Sequence, residues 1–250
     1  MTITQDHELE GLRDIGAIVA AVLRRMIAAI EPGMTTRELD GIGRALLDKE
    51  GARSAPELTY DFPGATCISV NECVAHGIPD DTVIGPADLV NIDVSAEKGG
   101  FFADTGASVA LPGASPRAHR LCQDGRGALC AGMKDLRAGA SLGGIGRRVQ
   151  HYAHQRGYTL VRNLASHGVG AALHEEPGEI PTWFDPRERR RIHEGLVFTI
   201  EPFLSTGAQS VEVARDGWSL MTRRGILTVQ YEHTMVATRD GIEVLTAGAH

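Results

Sequence analysis

Long apolar runs are missing from this chain. None approaches the about 20 residues that a helix needs to cross a bilayer, so no transmembrane segment is expected. Cysteine is scarce: Cys67, Cys73, Cys122 and Cys130 form no CxxC pair and no disulfide-type spacing. That usage fits the reducing cytoplasm. Positive charge is not in excess either. The formal net charge is −7 and the pI is near 5.8, which removes any general attraction to DNA. The opening stretch MTITQDHELE lacks the basic and apolar blocks of a secretory signal. No low-complexity linker and no short repeat interrupts the sequence. The HExxH pattern is absent too: "HEEP" at His174 has no second histidine one helical turn on, which excludes a one-helix zinc protease.

What is present reads as a folded domain. The 250 residues, 42% hydrophobic and 23% charged, can bury a sizeable core. Apolar residues at helical spacing from Leu12 to Ile30 predict a helix over about Glu8 to Ile30. A second helix follows, with Thr35 and Glu38 spaced as a capping box, Met34 and Leu39 as its staple, and Gly51 as its stop. "TCISV", "LVNIDVS" and "FFADTGASVAL" read as strands. Ser115 and Pro116 open a third helix, and Ser141 is expected to cap a fourth reaching about Arg156. Strands are expected at "YTLVRN", "FTIEPFLS", "SVEVA", "WSLMT" and "ILTVQYEHTMVAT". Helices cluster while strands spread between them, so the expectation is one α+β domain over residues 1–250.

The stretch "NIDVSAEKGGFFADTG" places two aspartates, Asp93 and Asp104, on two arms of a hairpin. A two-residue turn at Lys98–Gly99 would set them directly opposite each other, where like charges are destabilising. Either the pair faces solvent or a cation sits between them. Other candidates are His167 and His174 in the glycine-rich "SHGVGAALHEEPG", Glu201 ahead of Pro202, Glu232 within an apolar strand, and His76 at a turn after a strand. Each alone has an ordinary reading: a surface turn, a structural histidine, or a glutamate that alternation turns to solvent. Together, Asp93, Asp104, His167, Glu201 and Glu232 would give four carboxylates and one imidazole, enough charge for two divalent ions. Such oxygen-rich ligation suits Mn²⁺, Fe²⁺ or Co²⁺ better than a structural zinc. "DPRERRRIHEG" carries four arginines, which read as a solvated face or, alternatively, a contact to an acidic partner such as ribosomal RNA.

The motifs "SVNECVAHGIP", "NIDV" with "FFADTG", "SHGVGAALHEEP", "FTIEP" and "VQYEHT", in this order, resemble those of type I methionine aminopeptidases. The resemblance implies the pita-bread fold, with a curved antiparallel sheet backed by helices and pseudo-two-fold halves framing a two-metal site. It implies Asp93, Asp104, His167, Glu201 and Glu232 as metal ligands, with Asp104 and Glu232 bridging. The ions would be two, drawn from Co²⁺, Mn²⁺, Fe²⁺ or Zn²⁺. Glu201, His174 and His76 are then the catalytic groups, and His76, His174, Cys67, Phe62 and Trp218 bind substrate. The implied activity is removal of the initiator methionine from nascent polypeptides with a small second residue, by a monomer in the cytoplasm, at the ribosome. The chain resembles the short bacterial form, without a zinc-finger or proline-rich extension. Three departures bear on the shape of the pocket: Gly106 after Asp104-Thr105, Leu173 before His174, and "TYDFP", which resembles only part of the usual aromatic segment before the cysteine strand. An Xaa-Pro dipeptidase and a non-catalytic protein on the same fold are the competing readings.

Overall fold

A computed structural model describes residues 1–249, so the last residue of the expected 1–250 domain, His250, lies outside it. Helix α1 (Asp6–Ala29) buries Leu12, Ile15, Ile18, Val19, Val22, Leu23 and Met26, the stripe its spacing predicts. It starts two residues before the expected Glu8, because the Glu8 carboxylate accepts the backbone N–H groups of Thr4 and Gln5 and caps the end. Helix α2 (Thr36–Lys49) carries the predicted capping box, with Glu38 N–H donating to Thr35 Oγ1 (3.1 Å) and Thr35 N–H to Glu38 Oε2 (2.7 Å). Met34 packs against the core that holds Leu39. Beyond α2 the chain turns at Gly51, whose φ of +67° suits a residue without Cβ.

The first half continues with β1 (Arg53–Ser54), α3 (Ala55–Tyr60), β2 (Cys67–Val70), β3 (Cys73–Ala75), β4 (Leu89–Lys98) and β5 (Phe101–Ala110). In the sheet β1, β4 and β2 lie side by side, with β5 also paired to β4. The β4–β5 hairpin corrects the expected register. Its turn is Gly99–Gly100, with Lys98 paired to Phe101, because both turn residues need positive φ (62° and 88°) and lysine does not favour it. Asp93 therefore faces Gly106, and Asp104 faces Ser95. The two aspartates share a face as diagonal neighbours instead of opposing each other.

The second half opens with α4 (Pro116–Met133), capped by Ser115 as expected, and α5 (Gly143–Gln155). Ser141 does not cap α5. Its backbone is engaged in an antiparallel bridge with Arg191, so the buried Leu142 occupies the cap position. Then follow β6 (Thr159–Leu160), β7 (Ser166–Gly168), β8 (Glu175–Ile180), β9 (Val197–Ile200), β10 (Phe203–Ser205), β11 (Glu212–Val213), β12 (Leu220–Met221), β13 (Thr228–Gln230), β14 (His233–Ala237) and β15 (Ile242–Val244). One sheet runs β15-β14-β9-β7-β8 and another β13-β10-β6.

Two of these ladders are one ladder broken in the middle. Phe203 pairs with Gln230 on one side of the break and Ile200 with His233 on the other. That register puts Glu201 opposite Glu232 at the break. The like-charged pair that the hairpin was expected to hold exists here instead. Glu232 lies between two strands rather than inside one. Helix α1 packs on β4 and β5, while α4 packs on α5, β10 and β13. A single main core joins these faces, with Tyr231 and Phe198 among its largest buried side chains. Among the described residues no helix is long and apolar enough to cross a membrane.

Candidate metal centre

A cavity of about 580 Å³ opens between the two halves. Its lining includes Asp93, Asp104, His167 and Glu201 at the floor, His76, His174 and Tyr60 at the mouth, and Phe62, Cys67 and Trp218 on one wall. Glu232 lies beneath, 1% exposed. Ligand atoms of Asp104, His167 and Glu232 all lie within 4.8 Å of one another. His167 Nε2 is 3.5 Å from Glu201 Oε1 and 3.8 Å from Asp104 Oδ2. Gln230 Nε2 donates to Glu232 Oε2 at 3.0 Å and to Asp93 Oδ2 at 3.3 Å, tying the fifth residue to the group. The fold thus brings all five sequence candidates to one place.

Four of them, Asp104, His167, Glu201 and Glu232, are held by backbone ties between elements distant in sequence. Asp104 N–H donates to Thr234 Oγ1, and that hydroxyl donates back to the Asp104 carbonyl. Glu232 N–H donates to the Gly106 carbonyl, and Thr105 Oγ1 to the Glu232 carbonyl. Glu201 N–H donates to Ser166 Oγ and His167 N–H to Thr199 Oγ1. His167 Nδ1–H donates to its neighbour's carbonyl, Gly168 O, at 3.0 Å. Nε2 is thereby left as the lone-pair nitrogen, facing the carboxylates, which is how a metal-binding imidazole is held.

Electrostatically the floor is short of cations. Burial raises Asp104, Glu201 and Glu232 well above the carboxylate range, and their mutual repulsion adds to it. Burial also raises Asp93. His167 is pushed down to about 3, by burial first and then by His174. Among the described residues no lysine or arginine pairs with any of the five. Asp104 Oδ1 and Glu232 Oε1 are buried without a hydrogen-bond partner. Buried carboxylate oxygens left unpaired cost about 1–3 kcal/mol each or more. Four carboxylates, one lone-pair imidazole nitrogen and two orphaned oxygens fit divalent metal ions with oxygen-rich ligation.

The mouth is made differently. His76 follows β3 with φ at 53°, left-handed and exposed. The His174 ring lies 4.0 Å from that of His167, centroid to centroid. Burial by the cavity walls, then His76, lowers its pKa, so it is neutral at neutral pH. Phe62 and Trp218 meet edge to face at 5.2 Å. Cys67 sits opposite Asp93 on β2 and β4, its thiol kept protonated by burial. Leu173 is buried in the lining. Gly106 turns out to bear on the floor and not on the pocket. A Cβ there would lie 2.2 Å from Gln230 Oε1, so the glycine makes room for the glutamine.

Sequence reasoning missed Gln230, Asn91, Thr199 and Tyr60. Asn91 Nδ2 donates to Gln230 Oε1 at 2.9 Å, which turns the amide nitrogen toward the carboxylates. The available signal was parity: Gln230 lies two residues before Glu232, and Asn91 two before Asp93. Of the four arginines in "DPRERRRIHEG", Arg187 pairs with Asp185 and Arg190 with Glu188. Half of that charge is neutralised locally.

The sequence profile of metallopeptidase family M24 matches residues 10–239. A Bacillus subtilis protein named methionine aminopeptidase 2 is 47% identical over 247 residues, covering 98% of this chain and 99% of its own. The crystal structure of methionine aminopeptidase from Rickettsia prowazekii superposes with a TM-score of 0.93 at 32% identity, over 98% of this chain and 100% of the other. The Thermotoga maritima enzyme of the same name gives 0.94 at 31%, over 98% and 99%. The expected α+β pita-bread architecture stands on these likenesses.

Proposed function

The chain belongs to metallopeptidase family M24, and from that premise we propose that it is a methionine aminopeptidase, hydrolysing the first peptide bond of chains that begin with methionine. The observation that carries the reading is the convergence of Asp93, Asp104, His167, Glu201 and Glu232 under one cavity, two of their oxygens buried and unpaired. Relatives of that name matched end to end support it.

The five residues would hold two divalent ions, Asp104 and Glu232 serving both; Mn²⁺, Fe²⁺ and Co²⁺ suit the donor set, and Zn²⁺ is the fourth candidate. Such ions supply Lewis acidity and a water of lowered pKa. The protein's own groups do the rest. Glu201, whose basicity burial raises, takes the proton of the attacking water. His174, neutral, donates a hydrogen bond to the carbonyl oxygen as negative charge develops there. His76 contacts the scissile amide nitrogen and helps the amine depart. Phe62, Cys67 and Trp218 wall the methionine side chain; the neutral thiol and edge-to-face rings suit a polarisable thioether. The second residue is small, as the likeness to methionine aminopeptidases implies. Substrates are nascent polypeptide N-termini, met in the cytoplasm at the ribosome by a monomeric enzyme.

The test is a comparison of peptides with metal-depleted protein reloaded anaerobically, one ion at a time. Met-Ala-Ser should be cleaved, and Leu-Ala-Ser and N-acetyl-Met-Ala-Ser hardly at all. Cleavage of Ala-Pro in preference to Met-Ala-Ser would make it an Xaa-Pro dipeptidase. No turnover with any ion, despite bound metal, would leave a binding protein.

A further inference from the structure

Tyr60 reaches the cavity from the far half of the molecule. It is the last residue of α3, a short helix held at its N-terminal turn. Ser54 Oγ accepts Glu57 N–H at its start, and Glu57 accepts two hydrogen bonds from the Arg44 guanidinium of α2. The helix stops where Asp61 turns left-handed, at φ 54°. This delivers the phenol to His174, 114 residues further on, with Tyr60 Oη and His174 Nδ1 2.7 Å apart. The two rings lie 5.6 Å apart at 53°.

We propose that Tyr60 is a positioning residue whose hydroxyl donates to Nδ1 of His174, fixing the tautomer that carries its hydrogen on Nε2. The inference rests on the reading of His174 as the oxyanion donor. In a neutral imidazole one nitrogen donates and the other accepts, and the partner of one nitrogen decides which. A phenol O–H is the stronger acid of the pair and an imidazole nitrogen the stronger base, so the hydrogen bond runs from oxygen to nitrogen. Burial, then the charge of Asp104, raises the Tyr60 pKa, so the phenol keeps its proton at neutral pH. Nε2 has no hydrogen-bond partner among the described residues, and the ring lines the cavity. The contact therefore points the only N–H of His174 away from Tyr60 and into the space a substrate carbonyl would fill. It also fixes the ring against rotation, where the tilted His167 ring, at 4.0 Å and 39°, only abuts it.

The experiment uses ¹⁵N-histidine-labelled, metal-free protein. The signal lost in His174→Ala identifies His174. In the unsubstituted protein its Nδ1 should read as unprotonated and hydrogen-bonded, and its Nε2 as protonated; a proton on Nδ1 overturns the proposal, whether or not any variant folds. In Tyr60→Phe the Nδ1 signal should shift to that of a free acceptor. For the reloaded variant, kcat on Met-Ala-Ser should fall about 5- to 10-fold, the worth of one neutral hydrogen bond, with KM and metal content nearly unchanged. A Tyr60→Phe kcat within about twofold of the parent, less than one such bond is worth, overturns it as well. If His174→Ala itself leaves kcat unchanged, the oxyanion reading of His174 fails, and the spectrum alone then decides the hydrogen bond.

Discussion

At the floor of the cavity Asp104, His167, Glu201 and Glu232 are each less than a tenth exposed, and each sits on or beside a paired strand. At the mouth Tyr60 is 43% exposed, His76 sits on a left-handed turn, and Trp218 comes from a loop. The two regions face one space but are built for different work. The floor concentrates negative charge that only a rigid ladder could hold together, since each carboxylate would otherwise swing to solvent. The mouth arranges neutral donors and apolar walls, where a small displacement changes which substrate fits and leaves metal binding intact. Charge is therefore set by strand register, and selectivity by turns.

The comparison breaks most sharply at Asp104. Asp104→Asn should lose bound metal and about 10³-fold or more of the activity, the several kcal/mol that a metal supplies; elemental analysis beside a peptide assay checks it, and a fully loaded variant would refute the ligand role. His174→Ala, at the mouth, should lower kcat about 10²–10³-fold with metal content intact, as for other oxyanion donors. Gln230→Ala should weaken metal binding about 10- to 100-fold by titration calorimetry, the usual effect of losing a group that orients ligands. Gly106→Ala should reproduce part of that loss by displacing the glutamine, and the double variant should be no worse than Gln230→Ala alone.

A pH series sharpens the same contrast. In the metal-free protein Asp104, Glu201 and Glu232 titrate above the about 4 of an unfolded carboxylate. The folded metal-free state then binds more protons than the unfolded one. Its stability from these groups is present below about pH 4 and is lost as pH rises through the raised values. His167, with its folded pKa of about 3, acts the opposite way, losing stability as pH falls from about 6.5. Metal must displace the carboxylate protons, so the Tm difference between loaded and metal-free protein should widen as pH rises above the about 4 of an unfolded carboxylate. A flat difference would mean the carboxylates are not the ligands. The smallest effect is expected farthest from the cavity: Arg37→Ala, whose ion pair with Asp81 is largely exposed, should change stability by about 1 kcal/mol or less in a denaturant titration.

Local rules made some of this legible in advance. The α2 capping box and the Ser115–Pro116 start of α4 follow from the needs of a helix end, which a few adjacent residues satisfy. Residue identity also picked out the five acidic and imidazole candidates. The hairpin register was misjudged by one turn position, since the Gly99–Gly100 pair outweighed the symmetry of the aspartates. Ser141 lost its cap role to a bridge with Arg191, fifty positions away, which no local pattern reports. Gln230 lies inside the motif "VQYEHT", yet neither its role nor that of Tyr60 could be read there, because a hydrogen-bond partner is a fact of space and not of spacing.

By itself, then, the sequence determined the capped starts of α2 and α4, the main strand segments, and which side chains could ligate an ion, all being properties of near neighbours in the chain. Only the tertiary structure decided that Glu201 faces Glu232 across a broken ladder, that Gly106 yields its place to Gln230, and that Tyr60 meets His174. Those outcomes depend on how strands remote in sequence align, and that alignment is fixed by the packing of the whole core.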